Sequence, residues 1–359
     1  MTKAIALYLP QFHEIEENNR WWGEGFTEWT NLKKAKKLYH NHDFLLPLNN
    51  NYYNLLDKNV VEWQTNLANE NGIYGFSYYH YWFKGKKILE KPAENLLKWK
   101  DIDQKFMFLW ANHDWSKSWI GKDSELLIKQ EYGNINDWEE HFNYLLQFFL
   151  DDRYIKIDNK PVFQIYIVDD IPCYEDMVIY FNEKSKQNGF NGIYFIEVVR
   201  DHLKLTKNSY SKFSNAISIQ EHTTTSKYWR SKYKISVILQ KLKKYLYGNK
   251  IDALETYNII VKKSIEMISN TNPKIKTFFG VTTGWDNTPR YGERGYRIQG
   301  SNPTTFKKYL QDVKKISDDK NQEFLFISCW NEWCEGMCLE PSEQNNHDYL
   351  KSVKEVFKY

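Results

Sequence analysis

Short apolar runs alternate with longer amphipathic stretches along most of the chain. The runs Ala4–Leu9, Gly75–Trp82, Phe106–Ala111, Pro161–Val168, Gly192–Val198, Ala216–Ile219, Thr277–Val281 and Phe324–Ser328 are rich in aromatic and β-branched residues and read as strands. Apolar residues recur at helical spacing over Lys58–Asn71, Pro92–Lys100, Asp137–Leu150, Tyr174–Asn188, Ile251–Asn270 and Thr304–Ile316, and a last such stretch, Asp348–Phe357, follows the eighth strand. The helical connections are weakest after the first, fifth and sixth strands. Eight strands alternating with helices predict an α/β fold, a single (β/α)8 TIM-like barrel over residues 1–359 with long loops after its strands. An open doubly wound sheet is the alternative. No Gly-x-Gly-x-x-Gly follows any strand, so its dinucleotide-binding form lacks a fingerprint, and no phosphate-loop motif is present.

Composition narrows the function. The chain has 359 residues, the size of one large barrel, and 42% hydrophobic with 26% charged residues is enough apolar material for a sizeable core. The 14 Trp and 26 Tyr each join a flat apolar face to a polar tip, and an excess of them suits stacking on sugars or bases as well as a core. A net charge of +3 is too small to indicate a nucleic-acid partner. No run of 18 apolar residues occurs, so no membrane-spanning helix is expected, and the opening Met1–Pro10 is too short an apolar stretch for a signal peptide. Three of the four cysteines, Cys329, Cys334 and Cys338, cluster, and Cys173 stands apart, which is no disulfide framework. A cytoplasmic protein is expected.

The candidate chemistry stands where the strands end, on the face that carries the active site in such barrels. The first strand runs into Tyr8, Gln11 and His13, the second into Tyr79-His80-Tyr81-Trp82, and the third into Trp110-Ala111-Asn112-His113-Asp114-Trp115. The fourth carries Gln164 and Tyr166, the fifth ends at Glu197 and the sixth at Gln220-Glu221-His222. The seventh leads to Trp285-Asp286-Asn287 and the eighth to Trp330-Asn331-Glu332-Trp333-Cys334-Glu335-Gly336. Glu332 and Glu335 are the sharpest pair. On a helical turn their Cβ atoms would lie about 5–6 Å apart, so both carboxylates could serve one substrate atom. Two nearby carboxyl groups, one holding a proton and one ionised, are what glycosidic bond cleavage with retention uses. Metal sites compare poorly. His40, His42 and Asp43 sit in a Lys-rich loop, and the clustered cysteines lack a fourth ligand, so no metal is expected. No Gly-x-Ser-x-Gly turn supports Ser-His-Asp catalysis.

The chain resembles the WbsX family, through Tyr8-Leu9-Pro10-Gln11-Phe12-His13, Trp21-Trp22-Gly23, Gly25-Phe26-Thr27-Glu28-Trp29-Thr30-Asn31, Tyr78-Tyr79-His80-Tyr81-Trp82-Phe83, Trp110-Ala111-Asn112, Gly284-Trp285-Asp286-Asn287-Thr288-Pro289-Arg290, Trp330-Asn331-Glu332-Trp333 and Leu339-Glu340-Pro341. The family is labelled glycosyltransferase, is associated with bacterial surface polysaccharide, and is related to the endo-α-mannosidase glycoside hydrolases. The resemblance implies a two-carboxylate reaction with net retention through an epoxide-like intermediate, without metal or organic cofactor. Glu332 matches the base at the sugar 2-hydroxyl and Glu335 the general acid/base at the glycosidic oxygen. The family usually reads Trp-Ala-Asn-Glu-Asn-Trp at 110–115, where this chain places His113 and Asp114.

Supporting roles follow from position. Trp29, Trp82, Trp115 and Trp285 are candidates for stacking on sugar rings, with rim packing as their ordinary alternative. Asp286, Asn287 and Arg290 could hold sugar hydroxyls, or an anionic sugar through Arg290. Tyr8, Gln11 and Asn331 could orient the substrate and Glu332, and Tyr79, His80, Trp110, Asn112, Tyr166 and Glu197 complete the expected substrate-binding set. Glu340 is expected to support its loop through backbone hydrogen bonds. The implied activity is making or breaking glycosidic bonds on an oligosaccharide, polysaccharide or lipid-linked glycan, first as a glycosyltransferase of O-antigen or capsule biosynthesis. An endo-acting glycoside hydrolase is the alternative, and a non-catalytic carbohydrate-binding barrel a third class. Residues 227–250 mix eight Lys and Arg with large apolar side chains and no acid. That pattern fits peripheral contact with an anionic membrane at its inner face, although a barrel helix with a solvated basic face is the simpler reading.

Overall fold

The computed structural model describes residues 1–38, 42–117, 125–220, 257–270 and 273–357. Eight parallel strands close into a barrel: β1 (Lys3–Tyr8), β2 (Ile73–Phe83), β3 (Phe106–Trp110), β4 (Lys160–Ile165), β5 (Tyr194–Val198), β6 (Ala216–Ile219), β7 (Lys276–Thr282) and β8 (Phe324–Ser328). Each strand pairs with the next in sequence, and β8 returns to β1 with Lys3 opposite Phe324 and Ala6 opposite Ile327. The ring leaves no free edge. Helices α1 (Lys58–Glu70), α2 (Lys91–Lys98), α3 (Ile135–Phe149), α4 (Tyr174–Gln187), α5 (His202–Lys207), α6 (Tyr257–Asn270), α7 (Pro303–Asp319) and α8 (Asp348–Phe357) follow the strands in turn. The (β/α)8 barrel read from the alternation of apolar runs is therefore the fold.

Several ends shift by a few residues. The fourth strand stops at Ile165, because Val168–Asp170 turns into a single helical turn, and β2 extends beyond its expected limits to Ile73 and Phe83. The helix expected over Ile251–Asn270 is described from Tyr257 on. The basic stretch 227–250 lies outside the described residues. No helix among the described residues is long and apolar enough to cross a membrane.

Alternation along the strands decides what reaches the barrel axis and what reaches the helices. On β2, Ser77 bonds Gln164 of β4 across the axis, Ser77 Oγ donating to Gln164 Oε1 at 2.8 Å. Tyr79 and Tyr81 continue that row upward, while His80 and Trp82 face α3, where His141 stacks on Trp82 at 4.5 Å between centroids. On β1, Leu7 faces inward and Tyr8 outward, its hydroxyl donating to Gln64 Oε1 of α1 at 2.7 Å. The layer between strands and helices is aromatic: Phe76, Phe106, Phe108, Phe142, Phe148 and Trp330 are all fully buried. Burial of rings at this density supplies most of the packing energy.

Candidate active site

A cavity of about 440 Å³ opens at the C-terminal end of the barrel, within the usual range for small-molecule sites. The inward row of the strands forms its base: Leu7 of β1 and Leu9 after it, Tyr79 and Tyr81 of β2, Ala111 after β3, Tyr166 after β4, Gln220 after β6 and Ser328 of β8. His113, Arg200, Trp285, Arg290, Tyr291, Glu332, Glu335 and Met337 complete the lining.

The chemistry concentrates at one buried guanidinium. Arg290, from the helical turn Thr288–Tyr291 after β7, donates through Nη2 to Glu332 Oε1 at 2.8 Å and through Nη1 to Glu335 Oε1. Its Nε and Nη2 also reach Glu28 Oε2, at 3.3 and 3.2 Å. Glu28 opens the short helix Glu28–Lys34 in the β1–α1 connection. Three carboxylates thus surround one cation, all with little exposure. Burial pushes the Glu332 carboxyl above its ordinary value, and the charge of Glu28 adds to the rise while Arg290 opposes it. Burial works against the Arg290 charge, but Glu28, Glu335 and Glu332 outweigh it and hold the guanidinium protonated. Such a cluster makes a carboxyl group hold its proton more readily than an ordinary glutamate does.

The turn that carries the two glutamates is braced on every side. Asn331 Oδ1 accepts from Leu9 N at 2.8 Å and its Nδ2 donates to Leu9 O at 3.0 Å, which ties the end of β1 to the residue before Glu332. Glu332 pairs with Met337 in a two-residue antiparallel ribbon, and Trp333–Glu335 forms one helical turn between them. Gly336 ends that turn at φ +64°, where a Cβ would lie 2.8 Å from the backbone nitrogen of Asp286. Behind the turn, Glu340 is buried and accepts from Gln64 Nε2 at 2.6 Å, Tyr53 Oη at 2.7 Å, Trp333 Nε1 at 2.8 Å and Trp330 Nε1 at 3.0 Å. The expectation of backbone support from Glu340 is corrected: its four donors are side chains. Burial pushes its carboxyl up to about 7, against the pull of those four donors.

The structure brings Tyr79, Tyr166, Trp285, Arg290, Glu332 and Glu335 to the cavity and places the other expected residues elsewhere. Tyr8, His80, Trp82 and Trp110 sit on the outward parity of their strands: His80 Nε2 lies 2.9 Å from His141 Nε2, and Trp110 Nε1 donates to Trp82 O at 3.3 Å. Trp29 packs on Phe12 and Tyr53 and donates Nε1 to Tyr53 O at 2.7 Å, so it has no face for a sugar. Trp115 is buried against Tyr81 and Trp21 beside the cavity. Gln11 lines a small neighbouring recess with Trp115 and Glu28. Asn112 secures the loop after β4, bonding Ile167 N and O at 2.8 and 2.7 Å. Glu197 is fully buried and takes Lys204 Nζ at 2.6 Å and Ser211 N at 3.0 Å. Asp286 meets His42 Nε2 at 2.9 Å and lines a second cavity of about 370 Å³, which shares Trp285 with the first. Asn287 accepts from Tyr296 N at 2.8 Å and braces its own loop.

Arg200 and Glu28 belong to the site but are not expected there, and Tyr81 and Gln220, which stand at strand ends, belong to it without a place in the expected substrate-binding set. Strand parity could have found Tyr81, which follows Tyr79 by two, and Gln220, the second residue after Ser218. Glu28 and Arg200 lie in connections; Glu28 falls in the Gly25–Asn31 segment that carries the family resemblance, but no local pattern assigns it to the site, and none marks Arg200. His113 lines the cavity, and burial, with Arg200 second, holds its imidazole down to about 4, so it is neutral near neutral pH.

Residues 4–353 match the family described as Glycosyltransferase WbsX. The uncharacterized protein WxcX of two Xanthomonas campestris pv. campestris strains is 25% identical over 356 residues, 98% of this chain and 49% of its own length, so the chain spans about half the length of the curated relatives it matches. Among solved structures, the GH99 endo-alpha-mannosidase from Bacteroides thetaiotaomicron, as its complex with BIS-TRIS-propane, superposes with a TM-score of 0.62 at 14% identity, over 99% of this chain and 95% of that one. A glycoside hydrolase-like protein gives 0.61 at 14% identity, over 100% and 94%. These likenesses show a shared barrel fold. With its sequence matched nearly end to end, the chain belongs to the WbsX glycosyltransferase family.

Proposed function

We propose that this barrel makes or breaks a glycosidic bond with retention, and that its task is glycosyl transfer in bacterial surface polysaccharide assembly. The observation that carries the reading is the pair Glu332 and Glu335, three residues apart, opening on one cavity and held by one buried arginine. In this reading Glu332 takes the proton of the sugar 2-hydroxyl, and that oxygen attacks the anomeric carbon from the face opposite the leaving group. Glu335 gives a proton to the departing oxygen. An acceptor hydroxyl then opens the three-membered ring, Glu335 removes its proton and Glu332 returns one to the 2-oxygen. Two inversions give retention, and the raised Glu332 is the stronger base that the first step needs.

Hydrolysis uses the same residues with water as acceptor. Products distinguish the two: purified protein incubated with candidate nucleotide sugars together with surface-polysaccharide oligosaccharides as acceptors gives elongated glycans for a transferase, and incubated with the oligosaccharides alone gives shorter ones for an endo-hydrolase, read by mass spectrometry. Glu332→Gln and Glu335→Gln should each lower either activity by at least about a hundredfold. Full activity in both variants removes this mechanism. For a transferase working in the cytoplasm the acceptor is a lipid-linked glycan, and residues 227–250 are the stretch of sequence suited to an anionic bilayer. Co-sedimentation with anionic vesicles that weakens with salt supports that contact; equal failure on anionic and neutral vesicles at low salt removes it.

A further inference from the structure

Charged groups line the cavity on two sides. On one, among the described residues, the carboxylates of Glu332, Glu335 and Glu28 surround the guanidinium of Arg290. On the other, past the end of β5, Arg200 lines the cavity with its guanidinium 4.6 Å from the centroid of the Tyr166 ring. Tyr166 stands 5.7 Å from His113, whose neutral imidazole adds no charge of its own. Gln220 lies on the cavity wall at the end of β6. Its Oε1 accepts from Gln164 Nε2 at 3.3 Å, which fixes the amide and leaves Nε2 as a donor. That nitrogen is buried and has no hydrogen-bond partner among the described residues, on a side chain 3% exposed. A buried donor left unmade is costly, and a ligand acceptor would satisfy it.

We propose that this side of the cavity is a subsite for an anionic group carried by the sugar, with Arg200 as its charge contact and the Gln220 amide as a hydrogen-bond donor. That the ligand is a sugar rests on the proposed function. A guanidinium meets a carboxylate or phosphate through two parallel charge-assisted bonds, which a neutral hydroxyl cannot match. The same polarity sets orientation. An anionic substituent is repelled from Glu332 and Glu335 and drawn to Arg200, so the sugar enters one way round. The two sources of such a group are a ring carboxylate, as in a uronic acid, and a phosphate, as in an activated sugar.

The test is an affinity titration by ligand-observed NMR, with the whole chain and three probe classes. These are the methyl glycosides of glucuronic and mannuronic acid, glucose and mannose 1-phosphate, and the neutral methyl glucoside and mannoside. The intact protein should prefer one anionic class over the neutral sugars by about tenfold to a hundredfold. Arg200→Gln should abolish that preference and bring anionic and neutral affinities level; Arg200→Lys should retain part of it. Preference for the uronides identifies a ring carboxylate, and preference for the 1-phosphates a phosphate. Equal binding of anionic and neutral probes, a preference that survives Arg200→Gln, or no binding of any probe overturns the proposal. Glu332→Gln and Glu335→Gln run in the same titration should keep the anionic preference. Full activity in those variants would therefore remove the catalytic reading without touching the subsite.

Discussion

The turn Trp330–Glu340 presents carboxylates on both its faces, and each face neutralises them differently. Toward the cavity, Glu332 and Glu335 share a single guanidinium with a third acid, Glu28. Toward α1, Glu340 is held by four neutral donors, two of them the indoles of Trp330 and Trp333 from the same turn. Neutral donors in fixed positions satisfy every lone pair of one carboxylate and make a rigid strut. A shared cation leaves the front face with more acids than positive charge, so protons there are exchangeable. Rigidity behind and proton exchange in front are what a reacting carboxylate pair requires.

The comparison breaks most severely if the shared cation is removed. Arg290→Met would leave three carboxylates buried together, and destabilisation of about 3–5 kcal/mol is expected near neutral pH. The deficit should shrink as pH falls, since the acids can then bind protons. Chemical denaturation at two pH values measures both. Equal loss at acid and neutral pH would mean that Arg290 matters for packing alone.

The rear face gives its own pH signature. Glu340 titrates from 4.5 when unfolded to about 7 in the fold. Across that window the folded chain holds a proton that the unfolded chain has released. Stability therefore falls as pH rises from about 4.5 to 7, by at most about 3 kcal/mol, and levels off above. Glu340→Gln should lose this slope. Either orientation of the new amide turns its nitrogen toward one indole N–H, so the variant is also expected to be weaker below pH 5. Parallel curves for the two proteins would show that Glu340 stays ionised throughout.

A smaller effect belongs to Glu28, which lies 262 residues from Arg290 in sequence. Its charge, after burial, raises Glu332. A base must be ionised to act, so activity should rise with pH through the Glu332 value. Glu28→Gln should move that acid limb to lower pH. An unmoved limb in the pH–rate profile would separate Glu28 from the chemistry.

What the sequence revealed differs between fold and site for a physical reason. The barrel is written in short-range patterns, apolar runs and helical spacing, and Phe324–Ser328 and Ala216–Ile219 appear within the limits read from them. The Glu332–Glu335 spacing is equally local. The Arg290 cluster joins three connections far apart in the chain, and no local pattern encodes that meeting. The strand ends fall between these cases. From Tyr78-Tyr79-His80-Tyr81-Trp82 the expected set takes Tyr79, His80 and Trp82, but a strand turns alternate residues to opposite faces, and within this run Tyr79 and Tyr81 reach the cavity.

That parity makes the mildest prediction, and it separates two tyrosines one strand apart. Tyr8 stands on β1 with its hydroxyl 2.7 Å from Gln64 Oε1, outside the barrel wall, whereas Tyr79 lines the cavity from β2. Tyr8→Phe removes one donor from the chain of bonds Tyr8–Gln64–Glu340 and should lower stability by about 1–2 kcal/mol. Because the lost group points away from the cavity, KM for a working substrate should not move. Tyr79→Phe removes a hydroxyl that burial keeps protonated, and so able to donate to a ligand. It should raise KM or lower kcat while leaving thermal stability close to that of the parent. If Tyr8→Phe changes KM as much as Tyr79→Phe does, the β1 side chain reaches substrate and the assignment of faces along the first strand is wrong.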